Sequence, residues 1–190
     1  RVPRWGNDDD RADDLMARVF ESAVRLVDGR PSETDGRYRV QMLPTTCHVY
    51  FGSVTGATPD GRRAGRPLSE GISAVQGTDR LGPTAMLRSA AKMGHRMTGG
   101  TLLNMKLTPA LLEGDEGIED ISQLVRGYFR LGGHHIQFNV VEAETLRAAR
   151  AEPEQWRDLI VRVAGYSDYF CDLSPALQEE IIERTEHRAV

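Results

Sequence analysis

Leu159-Ile160-Val161-Arg162-Val163-Ala164-Gly165-Tyr166-Ser167 is an apolar, β-branched run that stops on a small residue and a glycine. It predicts a strand over Leu159–Val163 followed by a turn over Ala164–Ser167. Upstream, His135-Ile136-Gln137-Phe138-Asn139-Val140-Val141 reads as a second, buried strand. Before it, Ile118, Ile121, Leu124, Val125, Tyr128 and Phe129 recur at helical spacing, so Ile118–Leu131 reads as an amphipathic helix stopped by Gly132-Gly133. Glu144–Arg150 and Pro153–Asp158 read as short helices between the two strands. Downstream, Ser174-Pro175 opens a final helix running to about His187. Helix and strand alternate, which places the chain in the α/β class.

The N-terminal half is organised differently. Asn7-Asp8-Asp9-Asp10 is an acidic start signal for a helix over Asp10–Asp28, which Gly29 and Pro31 end. Tyr38–Leu43 and Thr46–Phe51 read as strands separated by Pro44. From Gly52 to Gly82 glycine, proline and charge dominate, and a stretch of that length without regular structure is functional or packed against something. Pro83–Met93 reads as a helix with proline in its first turn, and Gly99-Gly100 ends that unit.

Composition bounds the function. The chain has 190 residues, 39% hydrophobic and 27% charged, with a net charge of −4. This is the profile of a soluble globular chain. The negative balance argues against nucleic acid or an acidic membrane surface as a partner. No apolar run approaches the roughly 20 residues that span a bilayer. Cys47 and Cys171 have neither a metal-ligand spacing nor a disulfide framework, which fits a reducing cytoplasm. The opening Arg1-Val2-Pro3-Arg4-Trp5 reads as mid-sequence, so a chain truncated at its N-terminus is expected.

Several polar groups invite a chemical reading. His134 and His135 are adjacent, and neighbours on a strand face opposite ways, so they cannot chelate one ion side by side; structural hydrogen bonding is expected of both. Gln137 and Asn139 share a face with His135, and buried polar groups need partners, so this row is expected to support the nearby loop. The glycine-rich Thr55–Gly65 lacks the Gly-Lys-Ser/Thr ending of a phosphate-binding loop. Asp60-Gly61 marks a turn in it, and Arg62 and Arg63 are expected to hold it by ion pairing.

The run Arg162-Val163-Ala164-Gly165-Tyr166 resembles the glycyl radical loop of the pyruvate formate-lyase and glycerol dehydratase superfamily, whose pattern is Arg-Val-x-Gly-Tyr after an apolar strand. TGATPDGRRAG (Thr55–Gly65), GGTLLNMK (Gly99–Lys106), GHHIQFNVV (Gly133–Val141) and the closing helix with Leu177-Gln178 and Glu183-Arg184-Thr185-Glu186 resemble the same superfamily in order and spacing. PTTCHVYFGSVTGATPDGRRA and RVAGYSDYFCDL are similar to its dehydratase-like branch, which includes glycerol, diol and hydroxyproline dehydratases. Ser167 and Asp168 depart from the pyruvate formate-lyase pattern.

The resemblance implies a ten-stranded α/β barrel for the whole enzyme. Residues 1–60 would form the C-terminal end of the pyruvate formate-lyase-type barrel domain, and residues 68–190 the glycine radical domain. It implies that Gly165 stores the radical, with Arg162, Tyr166 and Ser167 shaping the loop and the docking surface. The residue type follows from chemistry: a backbone radical needs a Cα that can flatten without a clashing Cβ. Taken alone, the tetrad favours an ordinary turn glycine at Gly165, while Arg162 and Tyr166 read equally as a salt bridge and packing; the flanking motifs reverse the balance for Gly165. The resemblance implies no permanently bound cofactor and no metal. It implies activation by a radical S-adenosylmethionine enzyme, and a homodimer once the rest of the enzyme chain is present. The cysteine that passes the radical to substrate would lie upstream; neither Cys47 nor Cys171 stands at a matching position, and both read as buried small hydrophobes. Two other readings compete with a radical lyase fragment: a stand-alone spare-part protein that repairs an oxygen-damaged partner, and a structural α/β module in which Gly165 only turns the chain.

Overall fold

Asp9 starts the first helix, α1 (Asp10–Val27), its side chain accepting a hydrogen bond from the Arg11 amide. Asp10 and Asp13 in the first turn and Arg25 in the last complement the helix dipole. In the computed structural model, which describes residues 2–189, α2 (Cys47–Val54), α3 (Pro83–Ala91), β1 (Asn104–Leu107), α4 (Gly114–Arg130), β2 (Gln137–Val140), α5 (Ala143–Ala151), β3 (Ile160–Arg162), β4 (Ser167–Tyr169), α6 (Pro175–Glu183) and β5 (Glu186–His187) follow in order. The α/β class read from the sequence holds. No helix of the described residues is long and apolar enough to cross a membrane.

Three strands form a parallel sheet in the order β2-β1-β5. Asn104 pairs with Gln137 and Leu107 with Val140 on one side, and Leu107 pairs with His187 on the other. All four residues of the central strand β1 are buried, as expected of a parallel strand covered on both faces. One core gathers Leu102, Leu146, Ala149, Val161, Phe170 and Ile181; the other gathers Phe20, Ile72, Met86, Leu103, Met105 and Tyr128. Each leucine, isoleucine, valine, phenylalanine or methionine among them contributes about 1.5–3 kcal/mol by leaving water. β3 and β4 form a separate antiparallel hairpin, Ile160 opposite Tyr169 and Arg162 opposite Ser167.

Several boundaries differ from the sequence reading. Thr46–Phe51 is not a strand: Cys47–Val54 is the helix α2. Its β-branched and aromatic residues favour a strand locally, and tertiary packing overrides that preference. His48 and Gly52 face inward, and a Cβ on Gly52 would run into the backbone of Arg66 and Pro67, so only glycine lets the helix seat on this loop. Tyr38–Leu43 forms no continuous strand either. It runs beside 99–102, with Met42 N–H donating to Gly100 and Leu102 N–H to Met42, but only the isolated Met42–Thr101 bridge results. The final helix stops at Glu183 instead of His187. Lys106 Nζ takes the Ile182 carbonyl at 2.7 Å, Arg184 turns extended, and Glu186–His187 become an edge strand on β1. α4 begins at Gly114, before Ile118, and Pro153–Gln155 is a single 3-10 turn. On α1, Phe20 and Val24 are buried while Leu15, Val19 and Val27 are exposed.

The segment 55–82 has neither helix nor strand, yet it is packed. Ile72 is fully buried and its amide donates to Leu102 at 2.8 Å. Gly71 has φ +55°, and a Cβ there would strike the same Leu102 carbonyl. This close approach carries Glu70 and Ser73 to the start of β1.

Candidate functional site

β3 and β4 are joined by Ala164 and Gly165, with Val163 N–H donating to the Tyr166 carbonyl at 2.8 Å. Gly165 has φ +84°, the left-handed region that an L side chain enters only at a cost. A Cβ there would also stand 2.9 Å from Leu43 Cδ1. Val163 and Ala164 are buried, whereas Gly165, Tyr166 and Ser167 are exposed on this chain. Partial burial, then the neighbouring Asp168 carboxylate, push the Tyr166 phenol above its ordinary value.

The strand entering this turn is gripped on its polar edge. Asn139 on β2 makes a matched pair with the Arg162 backbone: the Arg162 N–H donates to Asn139 Oδ1 at 2.8 Å, and Asn139 Nδ2 donates to the Arg162 carbonyl at 2.8 Å. The Arg162 guanidinium donates to Gln137 Oε1 from Nε at 3.0 Å and from Nη2 at 2.5 Å, and to Ser167 Oγ at 3.0 Å. It therefore ties β2, β3 and β4 together without an ion pair. Gln137 Nε2 donates in turn to Asn104 Oδ1 on β1. Residues two apart on a strand share a face, which is why one row on β2 can hold both backbone and side chain of Arg162.

The Val163 carbonyl, two residues before Gly165, accepts from Arg184 Nη2 at 2.8 Å and from Asn104 Nδ2 at 3.2 Å. Arg184 Nη1 also reaches the Arg162 carbonyl at 3.3 Å. The same guanidinium pairs with Glu180, one turn back on α6, from Nε at 3.1 Å and from Nη2 at 2.8 Å. Gln76 donates to Glu180 at 2.9 Å, and His48 Nε2 on α2 lies 3.6 Å from it. Burial opposes charge on Glu180, but Arg184 and His48 outweigh it and hold the carboxyl well below the usual range. Glu70 is the counter-example. Burial pushes it up despite Arg184 and the donors Asn104 and Ser73. Lys106 is pushed down to about 8 by burial.

The structure thus brings Gly165, Arg162, Tyr166 and Ser167 into one hairpin. The expectation for Gln137 and Asn139 holds: both support the loop. His135 does not share their row, because β2 starts at Gln137, and its Nδ1 is buried without a hydrogen-bond partner among the described residues. Arg62 holds the Thr55–Gly65 loop through carbonyls instead of an ion pair, donating to Arg66 at 2.5 Å, Arg63 at 3.2 Å and also to Gly56. Cys47 is exposed at the start of α2, not a buried hydrophobe in a strand; Cys171 is half-buried, its Sγ 3.3 Å from the Trp156 carbonyl. Sequence reasoning missed Asn104, Arg184, Glu180 and Glu70. The available signal was polar residues inside apolar runs, as in Leu102-Leu103-Asn104-Met105-Lys106.

Comparison with known proteins is consistent across the chain. A family model described as "Glycine radical" matches residues 68–171, and one described as "Pyruvate formate lyase-like" matches residues 1–52. Trans-4-hydroxy-L-proline dehydratase of Clostridioides difficile is 53% identical over 98% of this chain and 24% of that protein. Indoleacetate decarboxylase of Tractidigestivibacter scatoligenes is 42% identical over 99% of this chain and 22% of that protein. Among solved structures, the C. difficile hydroxyproline dehydratase with substrate bound superimposes with TM-score 0.95 at 52% identity over 98% of this chain and 24% of that one. The glycerol-bound, B12-independent glycerol dehydratase of Clostridium butyricum gives 0.96 at 44% identity over 100% of this chain and 24% of that one. The chain spans about a quarter of the length of these relatives.

Proposed function

The chain belongs to the glycyl radical enzyme family, and from that premise we propose that it is the glycine radical part of a radical lyase or dehydratase, with the radical stored on Gly165. The observation that carries the reading is the position of Gly165: it lies inside the matched glycine radical segment, at the tip of a hairpin, at a φ of +84°. Residues 68–190 form the glycine radical domain on this reading. Residues 1–60, which hold no named strand, end the barrel domain, and the three parallel strands, all within residues 68–190, are the glycine radical domain's share of the ten-stranded barrel. The exposed Leu15, Val19 and Leu26 of α1 then pack against the remainder of the same enzyme. The full enzyme forms a homodimer and works in the cytoplasm.

The chemistry divides between partners. A radical S-adenosylmethionine activating enzyme supplies a 5′-deoxyadenosyl radical, which takes one hydrogen atom from the Gly165 Cα and leaves as 5′-deoxyadenosine. The glycyl radical then takes hydrogen from an upstream cysteine thiol, and the resulting thiyl radical takes hydrogen from substrate. The residues of this chain do no bond-making beyond Gly165. They hold the turn, and Arg162, Tyr166 and Ser167 shape its surface.

The 53% identity to trans-4-hydroxy-L-proline dehydratase, beside 37–45% for seven further relatives, makes trans-4-hydroxy-L-proline the first substrate to test. The match of residues 1–52 to a lyase barrel favours a piece of an enzyme over a stand-alone spare part. The test is anaerobic incubation of the intact enzyme with an activating enzyme, S-adenosylmethionine and a reductant. An organic radical signal in the wild type, absent in Gly165→Ala, and turnover of trans-4-hydroxy-L-proline, glycerol or propane-1,2-diol support the reading. A radical that persists in Gly165→Ala overturns it.

A further inference from the structure

Building on the reading of Gly165 as the radical position, we propose that Arg184 is the positioning residue of the glycyl turn, a role reached through the backbone just before it. Arg184 is 9% exposed and stands where α6 ends. Its one planar cation contacts a buried carboxylate, Glu180, and two successive carbonyls, Arg162 and Val163. Only a guanidinium has the rigid fork of donors that satisfies an acid and two carbonyls at once; an ammonium is a single point. Glu180 fixes the fork from below and is itself held by Gln76.

The arrangement decides where the turn begins. Val163 is the last residue before Gly165 whose carbonyl is gripped by side chains, and Gly165 follows two positions later. One hydrogen atom leaves the Gly165 Cα on activation, and in each turnover the Gly165 Cα takes a hydrogen atom from the thiol and gives one back when the radical returns. Such transfers are sensitive to displacements of an ångström or less. The carbonyl anchor therefore controls the rate of hydrogen transfer without touching substrate. Helix α6 supplies it, and its end is fixed in turn by Lys106 on β1.

The experiment uses the intact enzyme and compares wild type with Arg184→Lys and Arg184→Gln. Radical per chain is read by electron paramagnetic resonance, folding by circular dichroism, and kcat and KM on whichever small hydroxylated substrate the wild type turns over. In folded Arg184→Lys, kcat per radical falls on the order of 10- to 100-fold while KM stays within about twofold, and Arg184→Gln falls at least as far. A folded Arg184→Lys enzyme with lower thermal stability but unchanged radical per chain and unchanged kcat per radical overturns the proposal. Should neither Arg184 variant fold, Asn104→Ser removes the other donor on the Val163 carbonyl; it too must lower kcat per radical, and an unchanged value overturns the proposal. Absence of any radical in the wild type would instead refute the reading of Gly165.

Discussion

Leu43 and Gly165 are set so that a methyl group on Gly165 would lie 2.9 Å from Leu43 Cδ1. The glycine is thus required twice over, by its φ of +84° and by this neighbour. Gly165→Ala should cost about 1–2 kcal/mol from the backbone conformation, read as a lower thermal midpoint of the intact enzyme. Leu43→Ala in the same background relieves the contact and recovers only part of that loss. Neither variant should give a glycyl radical, because the added Cβ remains on the Cα. Recovery of the radical in the double variant would contradict the assignment.

Asn139 is the backbone partner of Arg162 on both its donor and acceptor sides. Asn139→Ala leaves the half-buried Arg162 N–H without a partner and its carbonyl with only Arg184 Nη1 at 3.3 Å, a loss of about 1–3 kcal/mol. Thermal unfolding of the intact enzyme should register it. Asn139→Asp keeps the acceptor for the Arg162 N–H and faces the Arg162 carbonyl with a like-signed oxygen, so it should be no better than alanine. Full stability in Asn139→Asp would show that the pair is not made as described.

Glu70 has its acid raised by burial. A raised acid binds a proton in the folded state that the unfolded state has already lost, so its contribution falls as pH rises above the unfolded value, about 4.3. Glu70→Gln keeps an acceptor for Asn104 and Ser73 and does not titrate. The stability of Glu70→Gln relative to wild type should therefore improve between about pH 4.5 and pH 7. A difference independent of pH over that range would mean that Glu70 is charged throughout.

Lys106 titrates at about 8 on account of burial, below its ordinary value of 10.5. Between these two values the unfolded chain holds the proton and the folded chain has released it. Wild-type stability relative to Lys106→Met should therefore rise with pH across that interval, on the order of 1 kcal/mol per pH unit, and be flat below it. Thermal midpoints at pH 7, 8.5 and 9.5 test the sign.

Periodicity made the long elements legible. α1, α4 and the strands β2 and β3 fall close to where apolar spacing puts them, although Leu15, Val19 and Val27 of α1 are exposed on this chain. Thr46–Phe51 was illegible for the opposite reason: its residues prefer a strand, and what makes it a helix is the seat of Gly52 on the distant Arg66–Pro67 backbone. The end of α6 was hidden in the same way, since Lys106, some 75 residues earlier, takes its last carbonyls. The strand over Leu159–Val163 and the turn at Gly165 could be read directly, but the return strand Ser167–Tyr169 could not. Asn104, Glu180 and Arg184 could not, because their roles exist only once β1, α6 and the turn meet.

The strand β5 has a consequence for damage. In family terms, dioxygen attack on the activated glycine should sever the chain at Gly165 and free a piece beginning near Tyr166. That piece carries β4, α6 and β5. β5 remains zipped to β1, Ile181 and Phe170 remain in the core, and Arg184 still reaches back across the break to Val163. Severed covalently, the molecule should stay fastened physically: one band on a native gel, two on a denaturing one. A replacement segment could enter only after the old one had been peeled from the sheet, so an injured enzyme would keep its broken end as a plug against its own repair.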